Sequence, residues 1–242
     1  MLEFNTFSIV ARCERSRRLG VAVSSAVPAV GSMCPYLKPG LGAVSTQSWV
    51  NPYLAIEILQ LMENGLSAQV ALDTVVSTDP GANLRQIGVI GFAGSGVAWS
   101  GSSCTAWAGQ LVGSDFAIQG NMLVGEETLN VMQQAWSDSS GHELSERLMR
   151  VLEAGDLAGG DSRGKQSSAL KVVGEEAYAL VDLRVDEHAE PMTELRRILE
   201  IAKVQLFPFV DGMPSRLGVS RTLPDKVTQM LLLSPADRSA IR

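Results

Sequence analysis

The chain has 242 residues, of which 45% are hydrophobic and 19% are charged, and its formal net charge is -6 at pH 7. This length and composition are typical of one large globular domain rather than of a disordered or fibrous chain. The acidic balance argues against nucleic acid and anionic membrane as standing partners, and no apolar run reaches the roughly 18 residues of a membrane span. Three cysteines without CxxC spacing, and no basic or apolar leader, predict a cytoplasmic protein without a disulfide framework.

The first predicted elements form a β-hairpin. Residues 6–12 and 19–25 are rich in small and β-branched residues, and the charged segment between them is too polar to be buried. Thr6 stands at the head of the first strand. A threonine in this position is either an ordinary strand residue or, in one class of enzyme, a nucleophile that uses its own α-amine as the base.

The rest of the chain alternates strands with helices that come in pairs. Asn51–Pro52 and Ser67 are typical helix starts and begin the first pair. We expect a loop over 26–40, strands over 41–47, 86–92, 96–100, 104–108, 115–120, 167–173 and 177–185, and further helices over 126–136, 143–153 and 191–205. Helix pairs between antiparallel meanders predict an α+β fold built from layers rather than a parallel βαβ fold.

The glycine-rich segment 159–168 holds a dense group of polar side chains just before an apolar strand. Its glycines let the backbone approach a ligand closely. Asp161 could orient a nucleophile or an ammonium group through charge-assisted hydrogen bonds. The alternative is a solvated loop in which Asp161 and Arg163 only stabilise the turn.

Several ordered segments together resemble the bacterial family catalogued as domain of unknown function 1028. The segments are TFSIVAR at 6–12, GAVSTQ at 42–47 with Asn51–Pro52, CTAWAG at 104–109, QGNM at 119–122, GGDSRGKQSS at 159–168 and DLRVDEH at 182–188. The resemblance covers Thr6 to about Leu199, and the fold of this family is similar to that of the N-terminal nucleophile (Ntn) hydrolases. It implies a four-layer αββα sandwich over 1–205, with 206–242 as a C-terminal extension that packs on the domain or on a partner subunit, and it makes a homodimer the expected assembly.

The resemblance also implies an Ntn-type site. In the proteasome-like branch of that fold a nucleophile heads the first strand, a lysine follows the return strand, and an Asp and a Ser lie beside the nucleophile. The residues of this chain at matching positions are Thr6, Lys38, Asp161 and Ser167 or Ser168. Such a nucleophile needs a free α-amine, so Met1–Asn5 would have to be removed.

These residues imply a hydrolase of small amide or related C–N bonds that acts on a small polar substrate. The alternative is a non-catalytic module of the same fold that binds a small polar ligand. We expect the substrate or ligand to be contacted by Gln47, Gln119, Asn121, Arg163 and Gln166, and we expect neither a metal nor a cofactor.

Two further groups are weaker candidates. Cys34 and Cys104 are either nucleophiles or small buried residues, and no histidine lies near either in sequence. A second group alternates along a predicted strand and would share one face: Asp182, Arg184, Asp186 and His188. That face could bind a divalent metal, but Arg184 between the acids favours an ion-paired surface.

Overall fold

The computed structural model describes residues 6–105, 107–218 and 222–238. The chain divides into two compact units, with the boundary in the sequence between Leu195 and Arg196. The predicted domain boundary after residue 205 stays a prediction, because this division falls earlier, inside the helix Pro191–Gln205. Removal of Met1–Asn5 concerns residues outside the described part of the chain.

The described residues contain ten β-strands and seven α-helices. The strands are β1 Thr6–Cys13, β2 Arg18–Ser25, β3 Pro35–Lys38, β4 Gly42–Ser48, β5 Arg85–Gly91, β6 Val97–Ser100, β7 Trp107–Val112, β8 Phe116–Leu123, β9 Ser167–Val173 and β10 Ala179–Val185. The helices are α1 Pro52–Glu63, α2 Ala68–Thr78, α3 Glu127–Asp138, α4 Leu144–Leu157, α5 Pro191–Gln205, α6 Phe207–Asp211 and α7 Asp225–Leu232.

The predicted helix starts follow from local hydrogen bonds. The side chain of Asn51 accepts from the backbone N–H of Tyr53 and that of Ser67 accepts from Val70, so each caps the first turn. The expectation of a plain loop over 26–40 was wrong, because residues 35–38 form β3 and pair with β4. The three prolines in that segment concealed a short edge strand, a position where proline is tolerated.

The strands form two antiparallel sheets. One has the order β10-β9-β2-β1-β8-β7 and the other has the order β3-β4-β5-β6. Helices α3 and α4 pack on the six-stranded sheet, α1 and α2 pack on the four-stranded sheet, and the two sheets contact each other through β1, β4, β5 and β8. The predicted α+β class, with antiparallel sheets and paired helices, is confirmed.

Strand β1 is central in its sheet and is buried along its whole length. Because side chains alternate along a strand, Thr6, Ser8 and Val10 share one face. Val10 belongs to a core that also contains Ala43 and Ile90 of the other sheet, so this face is turned toward the four-stranded sheet. The fold therefore carries the side chain of Thr6 into the space between the two sheets.

The second unit contains the end of α5 together with α6 and α7. Among its described residues the most exposed large apolar side chains are Leu217 at 97% and Leu232 at 82%. The packing of this extension and the homodimer stay predictions. In the described part of the chain, no helix combines the length and the apolar character needed to cross a membrane.

Candidate functional site

Four polar residues lie side by side across the end of the six-stranded sheet where β1 begins. Thr6 is opposite Asn121 on one side and Ser25 on the other, and Ser25 is in turn opposite Ser167. Directly opposed residues of antiparallel strands point to the same face. The row therefore presents an amide and three hydroxyl groups in the space between the sheets, and we call this region the Thr6 end of β1.

The hydroxyl of Thr6 is bonded to a neighbouring hydroxyl. Thr6 Oγ1 lies 3.0 Å from Ser25 Oγ, and either atom can donate. The carbonyl oxygen of Thr6 accepts a hydrogen bond of 3.1 Å from Gln47 Nε2. Both Thr6 and Ser25 are buried. Thr6 is therefore held by two other strands, β2 through its hydroxyl and β4 through its carbonyl.

Asp161 lies just beyond the first residue of β1. It forms an isolated bridge with Leu123, the residue two positions after Asn121 on β8, and its Oδ2 accepts from the backbone N–H of Ala26 at 3.3 Å. Thr6 pairs with Asn121, so the place opposite Leu123 lies in line with β1, two residue positions before Thr6. Asp161 occupies that place. Gly160, with φ of +48°, makes the turn that brings Asp161 into this place.

A buried network of amide side chains lies behind Thr6 and joins the two sheets. Gln47 Nε2 donates to Gln86 Oε1 at 2.8 Å, Asn121 Nδ2 donates to the same oxygen at 3.0 Å, and Gln86 Nε2 donates to the carbonyl of Gly120 at 2.8 Å. Gln119 is tied to Gln47 through the hydroxyl of Ser8. We call Gln47, Gln86, Gln119 and Asn121 the amide network.

The amide network changes the interpretation of three predicted substrate contacts. Gln47 donates to the carbonyl of Thr6, Asn121 lies opposite Thr6 and Gln119 lies opposite Ser8, and all three are buried. Their amides are bonded to other side chains and to the backbone of β1 and β8. The arrangement can fix the backbone of Thr6, and it leaves these amides inside the protein.

The hydroxyls of the segment after Asp161 also have structural partners. Ser167 Oγ donates to the carbonyl of Val27 at 2.5 Å and accepts from the N–H of Val30 at 3.1 Å. Ser168 points to the other face of the sheet, where its hydroxyl donates to the carbonyl of Pro191. Of the two serines, Ser167 is therefore the one in the row with Thr6.

Arg163 and Gln166 lie on the rim of the same region. The backbone N–H of Arg163 donates to Asp161 Oδ1 at 2.9 Å, and its guanidinium is 3.6 Å from Asp161 Oδ2. The backbone of Gln166 bridges Ser25 and His188. The side chain of Arg163 is 40% exposed, so it is the predicted contact residue best placed to meet a molecule from solvent.

Lys38 does not lie in this region. It pairs with Gly42 at one end of β4, whereas Gln47 marks the other end, about 16 Å away for five residues of strand. Its ammonium forms an ion pair of 2.5 Å with Glu63, and the side chain is 44% exposed. The resemblance had matched Lys38 through a loop, and that loop is in fact strand β3, which carries the lysine away from Thr6.

The other candidate groups also have ordinary structural environments. Burial raises the pKa of the Cys34 thiol to about 12, and burial also raises the pKa of Cys104, so neither is an activated nucleophile. Asp182 lies 3.0 Å from Lys171, which fits the ion-paired interpretation. Strand β10 ends at Val185, so the predicted shared face does not extend to His188. No group of three or more His, Cys, Asp or Glu residues suited to a metal ion occurs among the described residues.

Sequence reasoning missed two residues of this region, Ser25 and Gln86. Ser25 could have been found from the hairpin, since pairing Cys13 with Arg18 across the turn places Ser25 opposite Thr6. Gln86 gives only a weak signal, a polar residue near the start of an otherwise apolar strand. Its role depends on the packing of one sheet on the other.

Comparisons with known proteins agree with this architecture. A crystal structure of a DUF1028 protein from Silicibacter pomeroyi has a TM-score of 0.81 at 24% identity and covers 91% of this chain and 100% of its own. Anbu (ancestral beta-subunit) from Yersinia bercovieri has a TM-score of 0.41 at 11% identity, covering 83% of this chain and 96% of its own. An Anbu mutant from Hyphomicrobium sp. strain MC1 has a TM-score of 0.39 at 14% identity, covering 85% and 97%.

At these scores the likeness to Anbu carries no functional argument, and the likeness to the Silicibacter protein shows the fold alone. No curated protein matches the chain. Residues 6–195 match the model of a family described as "Family of unknown function (DUF1028)". Because the match takes in every strand and the first four helices, this chain belongs to the DUF1028 family.

Proposed function

We propose that the protein is a hydrolase of small amide or related C–N bonds, built on an Ntn-type αββα sandwich, with Thr6 as its nucleophile. The observation that carries the proposal is the position of Asp161 in line with β1, two residue positions before Thr6. An α-amine created at Thr6 by removal of residues 1–5 would begin the strand at this carboxylate. A carboxylate there orients an ammonium or amine by a charge-assisted hydrogen bond.

The chemistry then needs no histidine. An α-amine has an ordinary pKa of about 7.7–8.0, so its neutral form is available near neutral pH. It accepts the hydroxyl proton while Thr6 Oγ1 attacks the carbonyl carbon of the substrate. The resulting ammonium gives that proton to the leaving nitrogen as the C–N bond breaks and an ester forms on Thr6. Water, deprotonated by the same amine, cleaves the ester and restores the hydroxyl.

Neighbouring groups support each part of this scheme. Ser25 Oγ, 3.0 Å from Thr6 Oγ1, can take part in moving the hydroxyl proton. The amide network holds the Thr6 carbonyl, so the residue keeps its place once the chain before it is cut. Arg163, on the rim beside Asp161, is the residue we assign to contact with a polar substrate.

The competing proposal of a ligand-binding module has weaker support. It relies on Gln47, Gln119, Asn121 and Arg163 as ligand contacts, and the first three are buried in the amide network. Thr6 is also fully buried in the 242-residue chain. Access to it therefore requires a change at this end of β1.

Intact mass spectrometry of the purified protein is the first test. We expect a chain that begins at Thr6, and turnover of at least one compound in a panel of small amides, lactams and ureides. Thr6→Ala should abolish turnover, whereas Thr6→Ser should keep part of it, because serine retains the hydroxyl and the amine. The matched control is Thr128→Ala. Thr128 lies on α3, and its buried hydroxyl has no hydrogen-bond partner among the described residues.

The outcomes separate the two proposals. If the wild-type chain stays uncut and the Thr6→Ala variant turns over the same compounds equally well, Thr6 has no part in the mechanism. An uncut chain that binds compounds from the panel without turnover would favour the binding module. Loss of activity in Thr128→Ala as well would indicate a general loss of folding rather than loss of the nucleophile.

A further inference from the structure

A second polar region lies at the opposite end of β1. Thr6 and Arg12 are six residues apart on the strand, which corresponds to about 20 Å. Around Arg12 the structure forms a cleft of about 220 Å³. The residues lining this cleft, which we call the arginine cleft, are Arg12, Cys13, Glu14, Arg15, Ser114, Asp115, Ser140 and Arg147.

Arg12 forms a fixed wall of the arginine cleft. Its two terminal nitrogens donate to the carbonyls of Gly91, Gly94 and Ser114 and to the carboxylate of Glu14, at 2.8 to 3.1 Å. The residue is only 5% exposed. These contacts hold the guanidinium in place, so Arg12 contributes positive charge to the cleft without being available to rearrange.

Arg147 has more unused hydrogen-bonding capacity than Arg12, of which only Nε lacks a partner among the described residues. It is 7% exposed and stacks over the ring of Trp136 at 3.3 Å, and Nη2 donates to the carbonyl of Trp136 at 3.1 Å. Nη1 lies 4.0 Å from Asp115 Oδ2, which is longer than a hydrogen bond, and Nε has no partner among the described residues. A guanidinium carries five N–H donors, and a buried cation with unused donors is costly.

The balance of charge in the arginine cleft also favours an anion. Three arginines face two carboxylates, Glu14 and Asp115, so the lining is positive in a chain whose net charge is -6. Glu14 is already bonded to Arg12 and its side chain is 79% exposed. Asp115 accepts from the indole N–H of Trp136. Arg15 stands at the mouth and is 59% exposed; its Nη2 lies 3.8 Å from Glu143 Oε1, outside the lining, and donates to the carbonyl of His142.

The size of the cleft limits what it can hold. Sites for drug-sized ligands measure about 300–1,000 Å³, so a volume of about 220 Å³ suits a smaller molecule. A planar guanidinium matches the oxygen pairs of carboxylate and phosphate groups. We propose that the arginine cleft is a binding site for a small oxyanion, a phosphate or a small carboxylate, held by Arg147 with Arg15 at its mouth.

Isothermal titration calorimetry with inorganic phosphate and with malonate tests this proposal, at an ionic strength held constant with chloride because salt screens exposed charges. We expect saturable binding of one or both probes, with a Kd of about 1 mM or tighter. The probe that binds more tightly identifies the chemistry of the ligand. Arg147→Met should abolish binding, and Arg15→Gln, a change at an exposed side chain, should weaken it by about tenfold.

Asp115→Asn gives the opposite prediction. It removes the carboxylate that competes for Arg147 and repels the ligand, so binding should become several-fold tighter. The matched control is Arg150→Gln, since Arg150 lies on α4 as well but pairs with Glu146 on the surface. No saturable binding by the wild-type protein would overturn the proposal. Equal affinities in Arg15→Gln, Asp115→Asn and Arg150→Gln would overturn it too, even if Arg147→Met fails to fold.

Discussion

The two ends of strand β1 bury polar groups in different ways. At the Thr6 end, neutral amides and hydroxyls bond to one another and to the backbone across both sheets. At the Arg12 end, two buried guanidinium groups lie around a cleft, and one of them, Arg147, has a single hydrogen bond to the protein among the described residues. Apart from Gln119 Oε1, which has no hydrogen-bond partner among the described residues, the groups at the Thr6 end are satisfied by one another, whereas Arg147 at the Arg12 end has several unused donors.

The difference distinguishes a polar cluster that stabilises the fold from one that is available to a ligand. Buried polar groups that satisfy one another rigidify a core and specify its packing. A buried charge with unused donors is held at a cost that a bound counter-charge would offset. The burial of Arg147 lowers the pKa of its guanidinium, although Asp115 acts in the opposite direction.

The largest effect is expected from Gln86→Leu, at the centre of the amide network. The change takes an acceptor away from the buried amides of Gln47 and Asn121 and a donor away from the Gly120 carbonyl. We expect the free energy of unfolding to fall by about 4 kcal/mol, since each unsatisfied buried group costs about 1–3 kcal/mol. Urea denaturation measures it.

The control for this variant lies at the outer end of the same set of hydrogen bonds. Gln110 is exposed and bonds to Ser100, which is bonded to Gln86. Gln110→Ala should change the free energy of unfolding by no more than about 0.5 kcal/mol. If Gln86→Leu lowered the free energy of unfolding no more than Gln110→Ala does, the amide network would not be a structural element that stabilises the fold.

A titratable pair beside Gln86 provides the next prediction. The hydrogen bond from Arg85 holds the pKa of Asp79 below its usual range, against an opposing effect of burial. A depressed folded-state pKa contributes stability above the unfolded value of about 3.9, and this contribution is lost as the pH falls through the folded value. Asp79→Asn should therefore cost about 2 kcal/mol at pH 7 and progressively less below about pH 4.

Urea denaturation of both proteins between pH 7 and pH 2 measures this difference. Asp73→Asn is the control, because Asp73 is exposed on α2 and its carboxylate accepts a hydrogen bond from the neutral side chain of Gln69 on the same helix. A difference between wild type and Asp79→Asn that stays constant down to pH 2 would contradict the assigned role of the pair. The amide network has no titratable member, so Gln86→Leu should show no such pH dependence.

The smallest effect on stability is expected from Arg147→Met in chloride buffer. The Trp136 carbonyl keeps a hydrogen bond from the Ser139 hydroxyl, and Asp115 is partly exposed and can be hydrated. Because the variant also removes the cost of a buried charge, we expect a loss of about 1 kcal/mol or less. Added phosphate should raise the unfolding temperature of the wild type and of Arg150→Gln, but not that of Arg147→Met. A loss as large as that of Gln86→Leu would erase the contrast between the two ends of β1.

Most secondary-structure elements and several polar residues of the site could be predicted from the amino-acid sequence. The small, β-branched runs predicted β1 and β2, the caps Asn51 and Ser67 predicted α1 and α2, and the helix 191–205 was predicted with the bounds that the structure has. These features depend on residues near one another in the chain. Thr6 and Asp161 were also chosen from sequence, and the fold brings them to the same end of β1.

Which polar side chains are bonded within the protein and which are available to a ligand depends on how the two sheets and the helices pack. Gln47, Gln119 and Asn121 have the chemistry of ligand contacts, yet the packing of one sheet on the other buries them against Gln86. Lys38 lies at the far end of β4 because residues 35–38 pair as a strand. The arginine cleft joins the end of β1, the turn before β8, the loop between α3 and α4, and α4. The contacts of the amide network and of the arginine cleft join residues from about 35 to more than a hundred positions apart, and local sequence pattern carries no information on pairings at that separation.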